Sequence, residues 1–171
     1  GCGRIGSTVA ARAGALGMRV IGYDPHRDKA KLASRGIEKV DLHDGLRQAD
    51  VVSVNARLCE ETTGLLGEAE FACCKPGSLL VNTARGGILD EDALIRAVKA
   101  GRPSSAVLDV IRDEPPKGDE AILHCPGITV TPHISYISVE SFRELRERTV
   151  RNGTDMVEGR RPDDVVNLPL E

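Results

Sequence analysis

Tryptophan is absent from the 171 residues, and all aromatic residues together make up only 2% of them. A core in a chain of this size must therefore be filled by Val, Ile, Leu and Ala, a composition that suits strands buried on both faces. An excess of basic charge is missing as well. The formal net charge is −3 and the isoelectric point is about 5.9, which excludes nucleic acid as the main partner, since that needs a basic face with interleaved aromatics. No apolar run approaches the length of a membrane span, and no signal peptide is read in the sequence. The five cysteines include the adjacent pair Cys73-Cys74 and show no C-x-x-C or Cys/His spacing that would hold zinc. They read as small buried residues of a reduced, cytoplasmic protein without a metal. Internal repeats and low-complexity segments are also lacking, and the length is that of one domain with a short tail.

What is present is glycine at particular places. Gly1-Cys2-Gly3-Arg4-Ile5-Gly6 is a G-x-G-x-x-G pattern that opens directly into a helical segment over residues 7–16. In a dinucleotide-binding turn the first glycine makes the bend, the second admits the pyrophosphate to the backbone, and the third lets the helix pack. The phosphates then sit on unpaired helix N–H groups. An apolar run over residues 18–23 reads as a strand and ends at Asp24, about twenty residues past the glycines, where a carboxylate accepts from the adenosine ribose hydroxyls. Asp24-Pro25 also reads as a plain turn starter. A carboxylate at this point repels a 2′-phosphate and favours NAD, while Arg27 leaves NADP open.

Helices are expected over 28–35, 42–49, 68–74 and 90–100, and strands over 37–40, 50–54, 78–82, 104–110 and 128–130. A helical turn over 120–124 and a long helix from Ser138 complete the pattern. Strands alternating with helices at this spacing predict an α/β, Rossmann-like doubly wound parallel sheet with helices on both faces. Ligands of such sheets bind beyond the carboxyl ends of the strands. Asp24, Asn55, Arg85, Asp109, Glu114 and His133 all fall on that edge, together with the glycine turn.

A base, a carboxylate partner and a fixed cation around a dinucleotide suit proton-coupled hydride transfer. His133 is the candidate acid/base, because imidazole has an unperturbed pKa of about 6.5. Glu114 is its candidate partner, fixing the tautomer. Arg85 offers a planar fork for a substrate carboxylate, with Gly86-Gly87 leaving room beside it. Asp109 either accepts from the nicotinamide carboxamide or caps the following loop. Arg57 is a candidate for an anionic substituent of the substrate. His26, His43 and His124 have no such company.

Gly1-Cys2-Gly3-Arg4-Ile5-Gly6, Tyr23-Asp24-Pro25, the run Val81-Asn82-Thr83-Ala84-Arg85-Gly86-Gly87-Ile88-Leu89-Asp90-Glu91-Asp92-Ala93-Leu94, Leu108-Asp109-Val110 with Glu114-Pro115, and Thr131-Pro132-His133-Ile134, in this order, resemble the D-isomer-specific 2-hydroxyacid dehydrogenases over nearly the whole chain. The resemblance implies NAD as cofactor and a D-2-hydroxy or 2-keto acid as substrate, with Arg85, Glu114 and His133 as the catalytic set. It implies cofactor binding by Gly1, Gly3, Arg4, Ile5, Gly6, Asp24, Asn55, Thr83, Ala84 and Asp109, and a homodimer formed largely through this domain. Residues 1–159 are then the NAD-binding domain. Residues 160–171, around Val165-Val166-Asn167, are a tail that returns to a substrate-binding domain absent from the sequence. Transcriptional corepressors share the fold and these residues, which makes a non-catalytic NAD-sensing module the second reading.

Three departures from the family pattern stand out. Asn55-Ala56-Arg57-Leu58 replaces the His-x-Pro-Leu segment of many members. Formate dehydrogenases of the superfamily carry Asn there but lack the partner that Glu114 supplies. The substrate domain is represented only by the tail. The first, central strand is missing before Gly1, which predicts an empty slot between the strands ending at Tyr23 and Val54 and a glycine turn with little to hold it.

Overall fold

Among the residues described by the computed structural model, 1–165, six short segments form strands, and all of them pair in parallel. They are β1 (Ile21–Gly22), β2 (Glu38–Lys39), β3 (Val51–Val54), β4 (Leu79–Asn82), β5 (Ser105–Leu108) and β6 (Ile128–Val130). β1 and β2 form a two-stranded sheet, and β3-β4-β5-β6 form a four-stranded one. The helices between them are α1 (Arg4–Ala15), α2 (Lys29–Ala33), α3 (Leu42–Gln48), α4 (Glu68–Cys73) and α5 (Glu91–Lys99). These elements belong to a compact unit, Gly1–His133, and a second unit begins at Ile134 with α6 (Val139–Val157). The Rossmann-like α/β fold expected from the sequence is the one observed. Val166 and Asn167, expected in the returning tail, lie outside the described residues.

The helix boundaries follow from local chemistry. Asp90 caps α5 by accepting the Ala93 N–H at 3.0 Å. Glu91 and Asp92 then lie in the first turn, and Arg96 and Lys99 in the last, each favourable to the helix dipole. Gly101, at φ +78°, ends the segment. Asp28 caps α2 through the Ala30 and Lys31 N–H groups. Ser138 and Ser141 form a reciprocal box at the start of α6. The apolar positions Val139, Phe142, Leu145, Val150, Met156 and Val157 of that helix are all exposed.

The main core lies around the four-stranded sheet, where Phe71 of α4, Leu80 of β4, Leu94 of α5 and Leu108 of β5 are almost wholly buried. A satellite cluster of Cys2, Ala10, Leu32 and Ile37, with Val20 against it, serves the two-stranded sheet. β1 and β3 do not pair with each other. Between them runs a cleft of about 630 Å3, lined by Val9 and Ala13 of α1, Ile21 of β1, and Val52 and Val54 of β3. This is the slot that the sequence predicts. It also explains two differences from expectation. β1 shrinks to a pair of residues because only β2 offers it hydrogen bonds, and β3, expected as a buried strand, leaves Val51 50% exposed because it borders the cleft.

Truncating Leu94, which has no exposed surface, is expected to cost about 2–5 kcal/mol. Urea denaturation of Leu94→Ala against the wild type, with the slope unchanged, measures this.

Candidate active site

Strand register determines what stands at the sheet's edge. Val54 pairs with Asn82, Asn82 with Leu108, and Leu108 with Val130. The next residue along each strand, Asn55, Thr83, Asp109 and Thr131, therefore falls in one row beyond the carboxyl ends. The glycine turn abuts the same row: a Cβ on Gly1 would lie 2.5 Å from the Ala56 backbone nitrogen.

The turn itself is better held than the sequence suggests. Gly1 N donates to the Tyr23 carbonyl at 2.9 Å, and Cys2 N–H donates to Asp24 Oδ2 at 2.8 Å. Asp24 Oδ1 accepts the His26 N–H at 3.0 Å. Asp24 thus ties the turn to the end of β1, a contact that the spacing argument for ribose binding does not reveal. Each oxygen retains a second lone pair for a ligand hydroxyl. A Cβ on Gly6 would fall onto the Gly1 carbonyl oxygen, so α1 can start at this point only with glycine there. Gly3, by contrast, has open space where its Cβ would be. Gly3 is also the N-cap of α1 and supplies no side-chain cap, and the first turn carries no acidic residue. The N–H groups of that turn, with Arg4 and exposed Ile5 beside them, form the kind of cradle that a pyrophosphate fits.

At the opposite end of the row, Asp109 is buried at 3% exposure and accepts from Thr131 Oγ1 at 2.5 Å. Buried Asn82 donates from Nδ2 to the Arg85 carbonyl at 3.0 Å and accepts the Ala84 N–H through Oδ1 at 2.9 Å. It thereby shapes the segment Thr83–Ala84–Arg85. The exposed Arg85 guanidinium donates to the Ala84 carbonyl at 2.6 Å. His133 Nδ1 and Glu114 Oε2 are 2.6 Å apart, and Glu114 Oε1 accepts the Ile111 N–H at 3.0 Å. His133 adopts φ +53°, the one non-glycine among the described residues in the left-handed region. Such a conformation is costly outside glycine and concentrates at functional sites. Asn55 turns its amide inward to Ser53, donating to the carbonyl at 3.2 Å and to Oγ at 3.0 Å.

The structure therefore joins His133 to Glu114 and Asp24 to the glycine turn, and places Asn55, Thr83 and Asp109 in one row with them. Arg57 is exposed, and its carbonyl accepts from Thr62 Oγ1 at 2.6 Å. Sequence reading missed Asn82, Thr131 and Glu91. Asn82 and Thr131 each sit at a strand end in an otherwise apolar run, a signal available in the sequence. Glu91 has no such signal; its carboxylate reaches the Arg112 N–H at 2.5 Å across the fold. No group of His, Cys, Asp and Glu side chains among the described residues is arranged to hold a metal, and no helix there is long and apolar enough to cross a membrane.

A parallel sheet with a glycine turn, a carboxylate at the end of β1 and a His–Glu pair on one edge is the arrangement of a dinucleotide-binding oxidoreductase domain. The family model described as "D-isomer specific 2-hydroxyacid dehydrogenase, NAD binding domain" matches residues 1–135. The chain belongs to this family, and NAD is its cofactor. Among curated proteins it is 38% identical to the D-3-phosphoglycerate dehydrogenase of Archaeoglobus fulgidus, over 99% of this chain and 32% of that protein. With the D-3-phosphoglycerate dehydrogenase of Rattus norvegicus the identity is 40%, over 98% and 31%. Among solved structures, D-lactate dehydrogenase from Aquifex aeolicus complexed with NAD and lactic acid superposes with a TM-score of 0.83 at 34% identity, covering 93% of this chain and 52% of that one. The holo form of Rhodotorula graminis D-mandelate dehydrogenase gives 0.83 at 36%, covering 99% and 51%. The chain thus spans about a third of the length of these curated relatives.

The cysteines differ sharply in their surroundings. Hydrogen bonding between Cys59 Sγ and Thr62 Oγ1, 3.4 Å apart, lowers the Cys59 thiol below its usual range, whereas burial pushes Cys74 up to about 11. Iodoacetamide at neutral pH is expected to label Cys59 first and to leave Cys74 unmodified in the folded protein. Mass mapping of the labelled peptides over time checks the order.

Proposed function

We propose that this domain is the cofactor-binding half of an NAD-dependent dehydrogenase that interconverts a D-2-hydroxy acid and a 2-keto acid. The observation that carries the reading is the 2.6 Å pairing of His133 Nδ1 with Glu114, on the sheet edge that also carries the glycine turn. NAD supplies the hydride acceptor when bound, at the cradle of Gly1, Gly3, Arg4, Ile5 and Gly6, with Asp24 at the ribose and Asn55, Thr83, Ala84 and Asp109 along the edge. Arg85 holds the substrate carboxylate by its planar fork. His133, its Nδ1 bonded to Glu114, takes the hydroxyl proton at Nε2 during oxidation and returns it during reduction. Glu114 keeps the ring in that tautomer and stabilises the imidazolium that forms.

The slot between β1 and β3 supports the further reading that the first, central strand of the domain belongs to a longer chain, and the share of its relatives' length that the chain spans supports the same for most of a substrate domain. Residues 1–159 form the NAD-binding domain in this reading, and 160–171 lead back to the substrate domain. The exposed apolar side chains of α6 support a homodimer in which a second copy covers them. Five free cysteines fit a reducing, cytoplasmic setting.

In the enzyme that carries this domain, His133→Gln is expected to lower kcat for 2-keto acid reduction by about 10²–10⁴-fold, with the NAD dissociation constant from calorimetry changed by less than about twofold. Arg85→Lys is expected to raise the keto acid KM. A wild-type protein that binds NAD yet turns over none of a panel of 2-keto acids would instead be an NAD-sensing module.

A further inference from the structure

The loop that carries Glu114 has no regular structure of its own, yet its catalytic carboxylate must stay within hydrogen-bonding distance of His133. Two neighbouring amides fix this loop. The Ile111 N–H is held by Glu114 itself, at 3.0 Å, which bends the carboxylate back over the turn. The Arg112 N–H is held by Glu91 Oε1, at 2.5 Å, from the first residue of α5. Ile111 is buried beneath, at 5% exposure. Gly86, next to Arg85, lies against the same backbone: a Cβ there would fall inside the Ile111 carbonyl group and onto the Arg112 nitrogen, so the two backbones are in direct contact. Asn82 completes the frame by holding the Arg85 carbonyl. Glu91 therefore lies in sequence just after the Arg85 segment but makes its hydrogen bond to the Glu114 segment.

We propose that Glu91 is a positioning residue for the His133–Glu114 pair: by holding the Arg112 N–H against the side-chain-free face of Gly86, it fixes the turn carrying Glu114 relative to Arg85. This rests on the dehydrogenase reading for its catalytic consequence. A carboxylate in the first turn of a helix also favours the dipole, so the two roles of Glu91 must be separated. Glutamine keeps the acceptor oxygen and removes the charge, while alanine removes both.

The test uses the enzyme that carries this domain, with Glu91→Ala, Glu91→Gln, Glu114→Gln and the double variant Glu91→Ala/Glu114→Gln. Hydrogen exchange over residues 109–114 is followed by mass spectrometry alongside kcat, KM and NAD affinity. In Glu91→Ala, exchange of the turn is expected to speed up about tenfold and kcat to fall about tenfold, since small displacements of a catalytic group are costly. The KM and NAD affinity stay within about twofold. Glu91→Gln is expected to behave as wild type in both readouts, and the double variant to be no slower than Glu114→Gln alone, because both changes act through one group. Unchanged exchange in Glu91→Ala, equal losses in the Gln and Ala variants, or losses that multiply in the double variant would each overturn the proposal. If the wild type turns over no 2-keto acid, the dehydrogenase reading fails separately, and exchange alone then decides whether Glu91 holds the turn.

Discussion

Parallel pairing in register is the constraint on which the rest depends. Because β3, β4, β5 and β6 all run the same way, with Val54, Asn82, Leu108 and Val130 in line, every strand delivers its next residue to one edge. A single antiparallel strand would send its polar end to the far side of the molecule. Buried strands of this kind can be almost wholly apolar, and the polar residues then gather at their ends, where even the buried Asn82 and Asp109 find partners in the adjoining loops and strand ends. The candidate row is a consequence of the fold's hydrogen-bond pattern before it is a consequence of any particular side chain.

That logic explains why so much was legible in the sequence. Helix and strand limits follow local rules. Asp28, Asp90 and Ser138 cap, Gly101 terminates, and the aliphatic runs between the helices have nowhere to go but a sheet. The candidate site residues were found because they interrupt those runs at their carboxyl ends, and Glu114 joins His133 as the motif order implies. What escaped are contacts made between elements. Glu91 and Arg112 are distant in sequence, and nothing in either segment alone says that one carboxylate caps the other's amide. Asp24 was read for its spacing from the glycines, but its bond to the Cys2 N–H depends on how the turn curls back over β1. The exposure of α6 was equally illegible, since an amphipathic pattern shows that a helix has an apolar face without saying what covers it.

The slot makes the candidate cofactor edge depend on parts with very unequal support. Asp109, Glu114 and His133 stand on the four-stranded sheet and its large aliphatic core. Asp24 and the glycine turn stand on the two-stranded sheet, with only Cys2, Ala10, Leu32, Ile37 and Val20 packed beneath them. A small cluster of this kind stabilises its surroundings by far less than the main core, because burial energy scales with apolar area removed from water. The turn is nevertheless ordered by direct ties. Gly1 reaches Tyr23 on one flank of the slot and packs against Ala56 on the other, and Gly6 sits on Gly1.

These ties have a direction. The two outer ties join the turn to the neighbours of candidate cofactor residues: Tyr23 precedes Asp24, and Ala56 follows Asn55. Displacing the turn therefore displaces Asp24 and the start of the Asn55–Ala56 segment with it, while the turn carrying Glu114 rests on contacts among Ile111, Arg112 and Gly86. Local opening follows the boundaries of weakly packed units, so the glycine turn on its small cluster is expected to loosen before the His133–Glu114 pair does. A dinucleotide bound along the row would couple the two, because a ligand that contacts both parts stabilises only the arrangement in which both are in place.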